Sequence, residues 1–299
     1  MGEKLRIGYV PEHFSTPLHY AQKHFGLSAD TTPFPTGTGA MTAALKDNSI
    51  DVAIGLTEGF VADLGKTNAK GEKSAYKLVG TYVDSPLCWA VSVGAKSGIK
   101  SIEELKGKRV GVSRIGSGSY VMSYVLADQQ GWLKSSSDSS SVFDSHVPLG
   151  DFAALRNGVN EGDKADFFMW EHFTTKKFYD NGELKRVGEI YTPWPSWVIA
   201  ARDAKDRDLE TMAEKINQGV AWFQDYRKES VEHITSTMEY SKEDAEAWLE
   251  TVKFTKNVRG VDTGLVEKTV EILQKAGVLD EKAGTPDDFI AIKKASQGA

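Results

Sequence analysis

The sequence predicts an α/β protein with mostly parallel sheets flanked by helices, and three observations carry that expectation. Short apolar runs alternate with helical patterns through the first two thirds of the chain, the order of β-α-β units. The alternation runs through twice and then gives way to a helical tail. At 299 residues, 40% hydrophobic and 26% charged, the chain is long enough for two domains.

In the first set, LRIGYV at Leu5 to Val10 reads as a buried strand. PLHYAQKHFG at Pro17 to Gly26 reads as a helix, with Pro in its first turn and Gly at its end. GAMTAALKDNS is the next helix, IDVAIGL at Ile50 to Leu56 a strand, and EGFVADLGK a helix that Gly65 stops. YKLVGTYVD and LCWAVSVG are two strands parted by Ser85-Pro86.

The second set opens on IKSIEELKGKRVGVS. Ser101 and Glu104 have the spacing of a capping box on a short helix, and the strand RVGVS follows. SYVMSYVLADQQGWL is a helix and SVFDSHVPL a strand. DFAALRNGVNEG is a helix capped by Asp151, KADFFMW a strand, EHFTTKKFYDNG a helix and LKRVGEIYT a strand. PSWVIAARD at Pro195 to Asp203 is the last strand. From Leu209 the pattern is helical to the end, with breaks near Tyr240 and Arg259. The serine cluster Ser135 to Ser141 reads as a loop.

Composition narrows the function. A formal charge of -6 with no basic block argues against nucleic acid. The single cysteine, Cys88, excludes an internal disulfide and a thiolate metal cluster. No apolar stretch is long enough to span a bilayer, and the start MGEKLRIGYV has no signal-peptide core. Arg6 stands where a myristoylation signal wants Ser or Thr. The expectation is a cytoplasmic protein without membrane insertion, with a monomer favoured.

Ligands of open α/β sheets bind beyond the carboxyl ends of the strands. Glu12, His13 and Phe14 stand there after the first strand, and Thr36, Gly37, Thr38 and Gly39 after the second. Thr57 and Glu58 follow IDVAIGL. Arg114, Gly116, Ser117, Gly118 and Ser119 follow RVGVS. Gly150 and Asp151 follow VPL, and Glu171 and His172 follow DFFMW.

Two of these places, PTGTGAM and IGSGSY, are small glycine-rich turns that open helices, one in each set. Unpaired amides and the helix dipole there favour a ligand group with negative or lone-pair character. Glycine allows close approach, and Thr36, Thr38, Ser117 and Ser119 add hydroxyls. Either turn alone reads as an ordinary cap worth roughly 1 kcal/mol; two equivalent turns favour a site. Phosphate cradles fail on spacing. Both turns lack the third glycine of a dinucleotide fingerprint, and Gly65-Lys66-Thr67 would end a helix where a P-loop must begin one.

LRIGYVPEHFSTPLHYA, GTGAMTAALKDNSIDVAIG and above all SGIKSIEELKGKRVGV resemble the type 2 periplasmic-binding-protein superfamily of solute receptors. The similarity is to its thiamine-pyrimidine-precursor-like and alkanesulfonate-receptor-like branches, and it covers the chain to about Asp203. The resemblance implies two lobes joined by two hinge crossings, near Asp84 to Val91 and Tyr191 to Val198, with a ligand cleft between. Residues 1–88 would begin the first lobe, 89–194 would form the second, and 195–299 would complete the first with the tail. Ser85 in the first crossing joins the candidate ligand residues. The fungal pyrimidine synthases of this superfamily carry a lysine, a nearby histidine and a cysteine cluster. Here IDVAIGLTEGF lacks the first two and Cys88 stands alone, which favours binding over that chemistry.

Aromatics concentrate at the crossings and strand ends, notably Trp89, Trp170, Trp194 and Trp197. Such walls stack planar ligands, although a strand tryptophan is usually core, and Trp194 and Trp197 read as stronger candidates than Trp89. Glu12, Glu58 and Glu171 face only Arg114, so an amine-bearing planar ring such as an aminopyrimidine fits; Arg114 and the glycine turns leave a small anion open. The six histidines show no metal-site spacing, and no catalytic constellation, cofactor or metal is expected. The expectation is a binding protein for a small planar metabolite. Its rivals are a biosynthetic enzyme on the same fold and an exported receptor for a membrane transporter.

Overall fold

The computed structural model describes residues 4–133, 142–161, 164–203 and 207–294, so the serine cluster read as a loop lies outside it. The chain forms β1 (Leu5–Tyr9), α1 (Thr16–Phe25), β2 (Ala29–Pro33), α2 (Thr38–Lys46), β3 (Val52–Leu56), α3 (Thr57–Ala69) and β4 (Lys77–Val83). It then passes to β5 (Cys88–Gly94), β6 (Arg109–Val112), α4 (Gly118–Gln129), β7 (Ser145–Pro148), α5 (Phe152–Asn160), β8 (Phe167–Glu171), α6 (His172–Asp180) and β9 (Leu184–Tyr191). It returns as β10 (Trp197–Ala201), followed by α7 (Arg207–Asp225), α8 (Arg227–Thr237), α9 (Lys242–Thr251), α10 (Thr263–Lys275) and α11 (Pro286–Phe289).

Two five-stranded sheets result, ordered β2-β1-β3-β10-β4 and β7-β6-β8-β5-β9. Each is mostly parallel and helix-flanked. In each, the strand arriving from the other sheet, β10 or β5, enters antiparallel to both of its neighbours. These entering strands and β3, β4 and β8 are buried almost throughout, which is why they appear in the sequence as unbroken apolar runs.

The connections between the sheets lie side by side at residues 84–87 and 192–196. Ser196 donates its amide (3.3 Å) and its hydroxyl (2.7 Å) to the Ser85 carbonyl. The Leu87 amide donates to Thr192 Oγ1 (2.9 Å), and the Thr192 amide returns a bond to the Leu87 carbonyl (3.1 Å). Thr57, at the start of α3, donates its amide to Ser196 O (3.0 Å) and its hydroxyl to Pro195 O (2.6 Å).

Several elements differ from the sequence reading. The edge strand β2, ADTTP, is largely exposed and has no apolar run to announce it. α3 continues past Gly65 to Ala69, because that glycine is buried where a Cβ would meet Leu279 at 2.9 Å; it is a packing residue and not a stop. The capping box at Ser101 does not form: Ile102–Leu105 is a 3-10 turn without a side-chain cap, and Glu104 accepts from the Lys100 amide at 3.3 Å. The tail is not helical throughout. Ile290, Gly260 and Phe254 bridge to Leu78, Gly80 and Val83 and extend the first sheet beyond β4. Asp151 does cap α5, accepting from the Ala154 amide at 2.9 Å.

Candidate functional site

The carboxyl ends of strands from both sheets face one another across a residual cavity of ≈ 50 Å³. From the first lobe it is lined by Glu12, by the turn Thr36, Gly37, Thr38 and Gly39, and by Trp197. From the second come Trp89, Arg114, Ser117, Gly118, Ser119, Trp170 and Glu171. Both glycine turns therefore reach the same space from opposite sheets. Val10, Pro35, Leu56, Leu87 and Ser113 complete the lining, and the sequence reading missed them. Their signal was faint, since Val10, Leu56 and Leu87 look like the strands they flank or finish, and Pro35 and Ser113 look like ordinary turn residues.

The remaining candidates do not line the cavity. His13 is fully buried beneath it, with ring centroids of Trp248 at 4.0 Å, Tyr240 at 4.5 Å and Phe14 at 4.6 Å. Burial holds its pKa well below 6.5, so the ring is neutral, and Nε2 lies 3.9 Å from Glu171 Oε1. Phe14 stacks behind Trp197 (4.9 Å, 29°) and supports that wall. Thr57 and Ser85 are engaged by the crossings. Gly116 sits at φ 83° near Lys66. Trp194, read as a stronger candidate than Trp89, instead donates its indole N–H to Glu58 Oε2 at 3.0 Å.

Ser117 and Glu171 cap their helices and line the cavity at once, whereas Thr38 lines it without capping α2. Thr38 Oγ1 accepts from the Leu56 amide (2.9 Å) and so ties α2 to the end of β3. Ser117 Oγ accepts from the Tyr120 amide (3.3 Å) and lies 3.0 Å from Ser119 Oγ, which accepts from the Ser113 amide (3.1 Å). Glu171 Oε2 accepts from the Thr174 amide (2.6 Å) at the start of α6.

A basic group and two carboxyl groups line the cavity. Arg114 is half-buried, and no hydrogen bond or ion pair holds its guanidinium among the described residues. Burial lowers its pKa, with Asp63 opposing. It lies over the first turn of α2, so close that a Cβ on Gly39 would fall 1.1 Å from Nη2. A cation at the positive end of a helix lacks compensation until an anion joins it. The carboxyl groups are those of Glu12, pushed to about 8 by burial and the nearby Glu171 charge, and of Glu171, pushed to about 7 by burial. Glu58 is likewise raised to about 7 by burial, and its Oε1 has no hydrogen-bond partner among the described residues.

Two further donors stand without partners. Trp89 and Trp197 line the cavity at 3% exposure each, and the indole N–H of neither meets an acceptor among the described residues. A buried unsatisfied donor costs about 1–3 kcal/mol, and such costs concentrate where a ligand completes the bond. Among the described residues no group of three or more His, Cys, Asp or Glu side chains is arranged to hold a metal. No helix among them is long and apolar enough to cross a membrane.

Comparison with known proteins identifies relatives of this architecture. Residues 89–190 match the model of the family described as Ca3427-like PBP. The structure is similar to the Candida albicans CA3427 gene product, which defines a family with the generic periplasmic binding protein fold. Identity there is 38%, over 100% of this chain and 99% of that one, with a TM-score of 0.88. It is also similar to the alkanesulfonate-binding protein SsuA of Xanthomonas axonopodis pv. citri bound to MOPS, at 16% identity over 96% and 98% of the two chains (TM-score 0.74). A third likeness is PhnD1 of Prochlorococcus marinus in complex with methylphosphonate, at 14% identity over 92% and 98% of the two chains (TM-score 0.59). No curated protein matches the sequence.

Proposed function

The chain belongs to the Ca3427-like family of proteins with the periplasmic binding protein fold, and on that premise we propose that it is a binding protein whose two lobes close by a hinge motion over one small polar metabolite. The observation that carries this reading is the pair of buried indole donors, Trp89 and Trp197, without partners among the described residues, in one small cavity between the lobes. Side chains that exist only to fill a core do not strand two donors around the same space.

The chemistry of the walls selects the ligand. It is planar, fitting between tryptophans, and offers acceptors to the two indoles. It carries an amino group for Glu12 and Glu171, as an aminopyrimidine of the thiamine-precursor type does. An oxyanion or strong acceptor of the same molecule meets Arg114 and the amides that open α2 and α4. The binding of MOPS by one protein of similar fold and of methylphosphonate by another supports an anionic group on the ligand. The protein acts inside the cell, as a carrier, sensor or sequestering protein; fractionation of the native protein tests that location.

Native mass spectrometry of freshly purified protein is the direct test. A single retained metabolite, removed by unfolding and restoring thermal stability when returned, is the expected result. A ligand-free protein that no aminopyrimidine or small oxyanion stabilises overturns the reading. One observation favours an enzyme as the second reading: Glu12 and Glu171 titrate near neutral pH beside the cavity, as general acids and bases do. Conversion of the retained metabolite, abolished in Glu12→Gln with binding intact, would establish it.

A further inference from the structure

On the side of the crossings lies a second concavity, a groove of ≈ 1040 Å³ in which five cations, Lys253, Lys256, Arg259, Lys293 and Lys294, stand against Asp84 and Asp262. This concentration runs against a chain whose formal charge is -6. Little within the protein neutralises it. Asp262 is engaged in accepting from the Gly264 amide (2.7 Å) at the start of α10. Lys293 pairs with Asp287, and Lys294 donates to Thr255 Oγ1 at 3.5 Å. The side chains of Lys253, Lys256 and Arg259 are exposed and have no hydrogen bond or ion pair among the described residues.

The cations stand on fixed backbone. Phe254 and Val258 point into the core, leaving Lys253, Lys256 and Arg259 outward. The Thr255 amide donates to Tyr82 O (3.1 Å) and the Gly260 amide to Val79 O (2.8 Å), which docks this segment along β4. The strand-like stretch carrying Lys293 and Lys294 docks on Val261 in turn (2.9 and 3.0 Å). The groove also abuts the crossings. Lys253 O accepts from the Asp84 amide (2.8 Å), and the Lys253 amide donates to Ser85 Oγ (3.0 Å). The Ser85 carbonyl receives Ser196 of the second crossing. Ser85 and Thr57, which the sequence reading assigned to the cleft, thus connect the groove wall through both crossings to the start of α3.

We propose that this groove is a second binding site, for a compact polyanion carrying two or more phosphate groups, and that its occupancy stiffens the crossings. Clustered cations with no aromatic platform exposed beside them recognise a phosphate chain and not a base or ring. The assignment is independent of what the cleft holds.

Titration calorimetry with inorganic tripolyphosphate in about 150 mM salt tests it. Saturable single-site binding is expected, weakening at least about tenfold in Lys256→Glu/Arg259→Glu. Lys96→Glu/Lys100→Glu makes the same charge change at exposed positions of the second lobe and should bind within about twofold of wild type. Both variants alter exposed side chains, and matching urea midpoints verify their folding. Absence of saturable binding, or equal loss in the two variants, overturns the site. Hydrogen exchange at the Ser85 and Ser196 amides should slow when tripolyphosphate is present; unchanged exchange at saturation overturns the link to the crossings.

Discussion

Gly39→Ala should separate the stability of the fold from the integrity of the site. Gly39 is the second residue of α2, and an alanine there gains about 0.5–1 kcal/mol of helix propensity. The new Cβ would fall 1.1 Å from Arg114 Nη2, 1.7 Å from Cζ and 2.4 Å from Nε. Those nearest atoms are the far end of one flexible side chain. The backbone therefore has no need to shift; the guanidinium swings away. The protein keeps or gains stability while the cavity loses its cation. A charge-assisted hydrogen bond is worth about 1.5–3 kcal/mol, so affinity for the retained metabolite should fall roughly ten- to a hundredfold. Urea denaturation of ligand-free protein and calorimetric titration read the two quantities separately. Arg114→Gln should lose similar affinity, and the double variant should bind no worse than Arg114→Gln alone. Unchanged affinity in Gly39→Ala, or a stability loss above about 1 kcal/mol, would refute the placement of Arg114 as a ligand group.

The opposite outcome is expected at Gly219, where a Cβ would meet the Pro17 carbonyl oxygen at 2.2 Å and the Ala21 nitrogen at 2.9 Å. Backbone cannot yield as a side chain does, so Gly219→Ala should destabilise by about 3 kcal/mol in urea melts. Trp194→Phe removes the donor at Glu58 Oε2 and leaves both buried carboxyl oxygens without side-chain partners. A cost of about 1.5–3 kcal/mol is expected, with metabolite affinity within about twofold because Trp194 does not line the cavity. Glu12 holds its proton to about pH 8 when folded and to 4.5 in the unfolded reference. The folded state thus binds more protons between those values, and the contribution to stability, complete below pH 4.5, is lost as pH rises to about 8. Glu171 acts in the same sense up to about 7. Glu12→Gln should flatten this fall in ligand-free urea midpoints, and an unaltered slope would contradict the raised carboxyl.

Most of the sheet architecture was legible because strands buried on both faces must be apolar on both. The exception, β2, shows the limit. At an edge the backbone makes the strand, and ADTTP offers no side-chain pattern to detect. Strand polarity was less legible. That β5 and β10 enter antiparallel follows from where each crossing delivers the chain, and local periodicity has no access to that. Of the residues that the sequence reading proposed, several presented by turns at strand ends come together around one cavity. Of those that do not line it, Thr57, Ser85 and Trp194 sit in or against the crossings, where a polar side chain serves equally well to join two extended segments or to face a ligand. Only their partners distinguish the cases, and those partners are distant in sequence: Pro195 for Thr57, Lys253 for Ser85, Glu58 for Trp194.

The paired glycine turns acquire a reason that neither has by itself. Gly39 on the first lobe makes room for Arg114 of the second. At Gly118 on the second lobe, a Cβ would stand 3.1 Å from Leu56 and 3.2 Å from Glu58 of the first, and 3.2 Å from Trp89. Each turn is thus a seat for side chains of the opposite half. A side chain at either position would hold the halves apart or displace a group lining the cavity. The same small residues add no side chain over the starts of α2 and α4, so close fit between the lobes and approach of a ligand to the backbone there have one cause. An ordinary cap needs its hydroxyl but not this pair of vacated faces, which is why Ser117 can cap α4 and Thr38 can tie α2 to β3 while the glycines beside them serve the cleft.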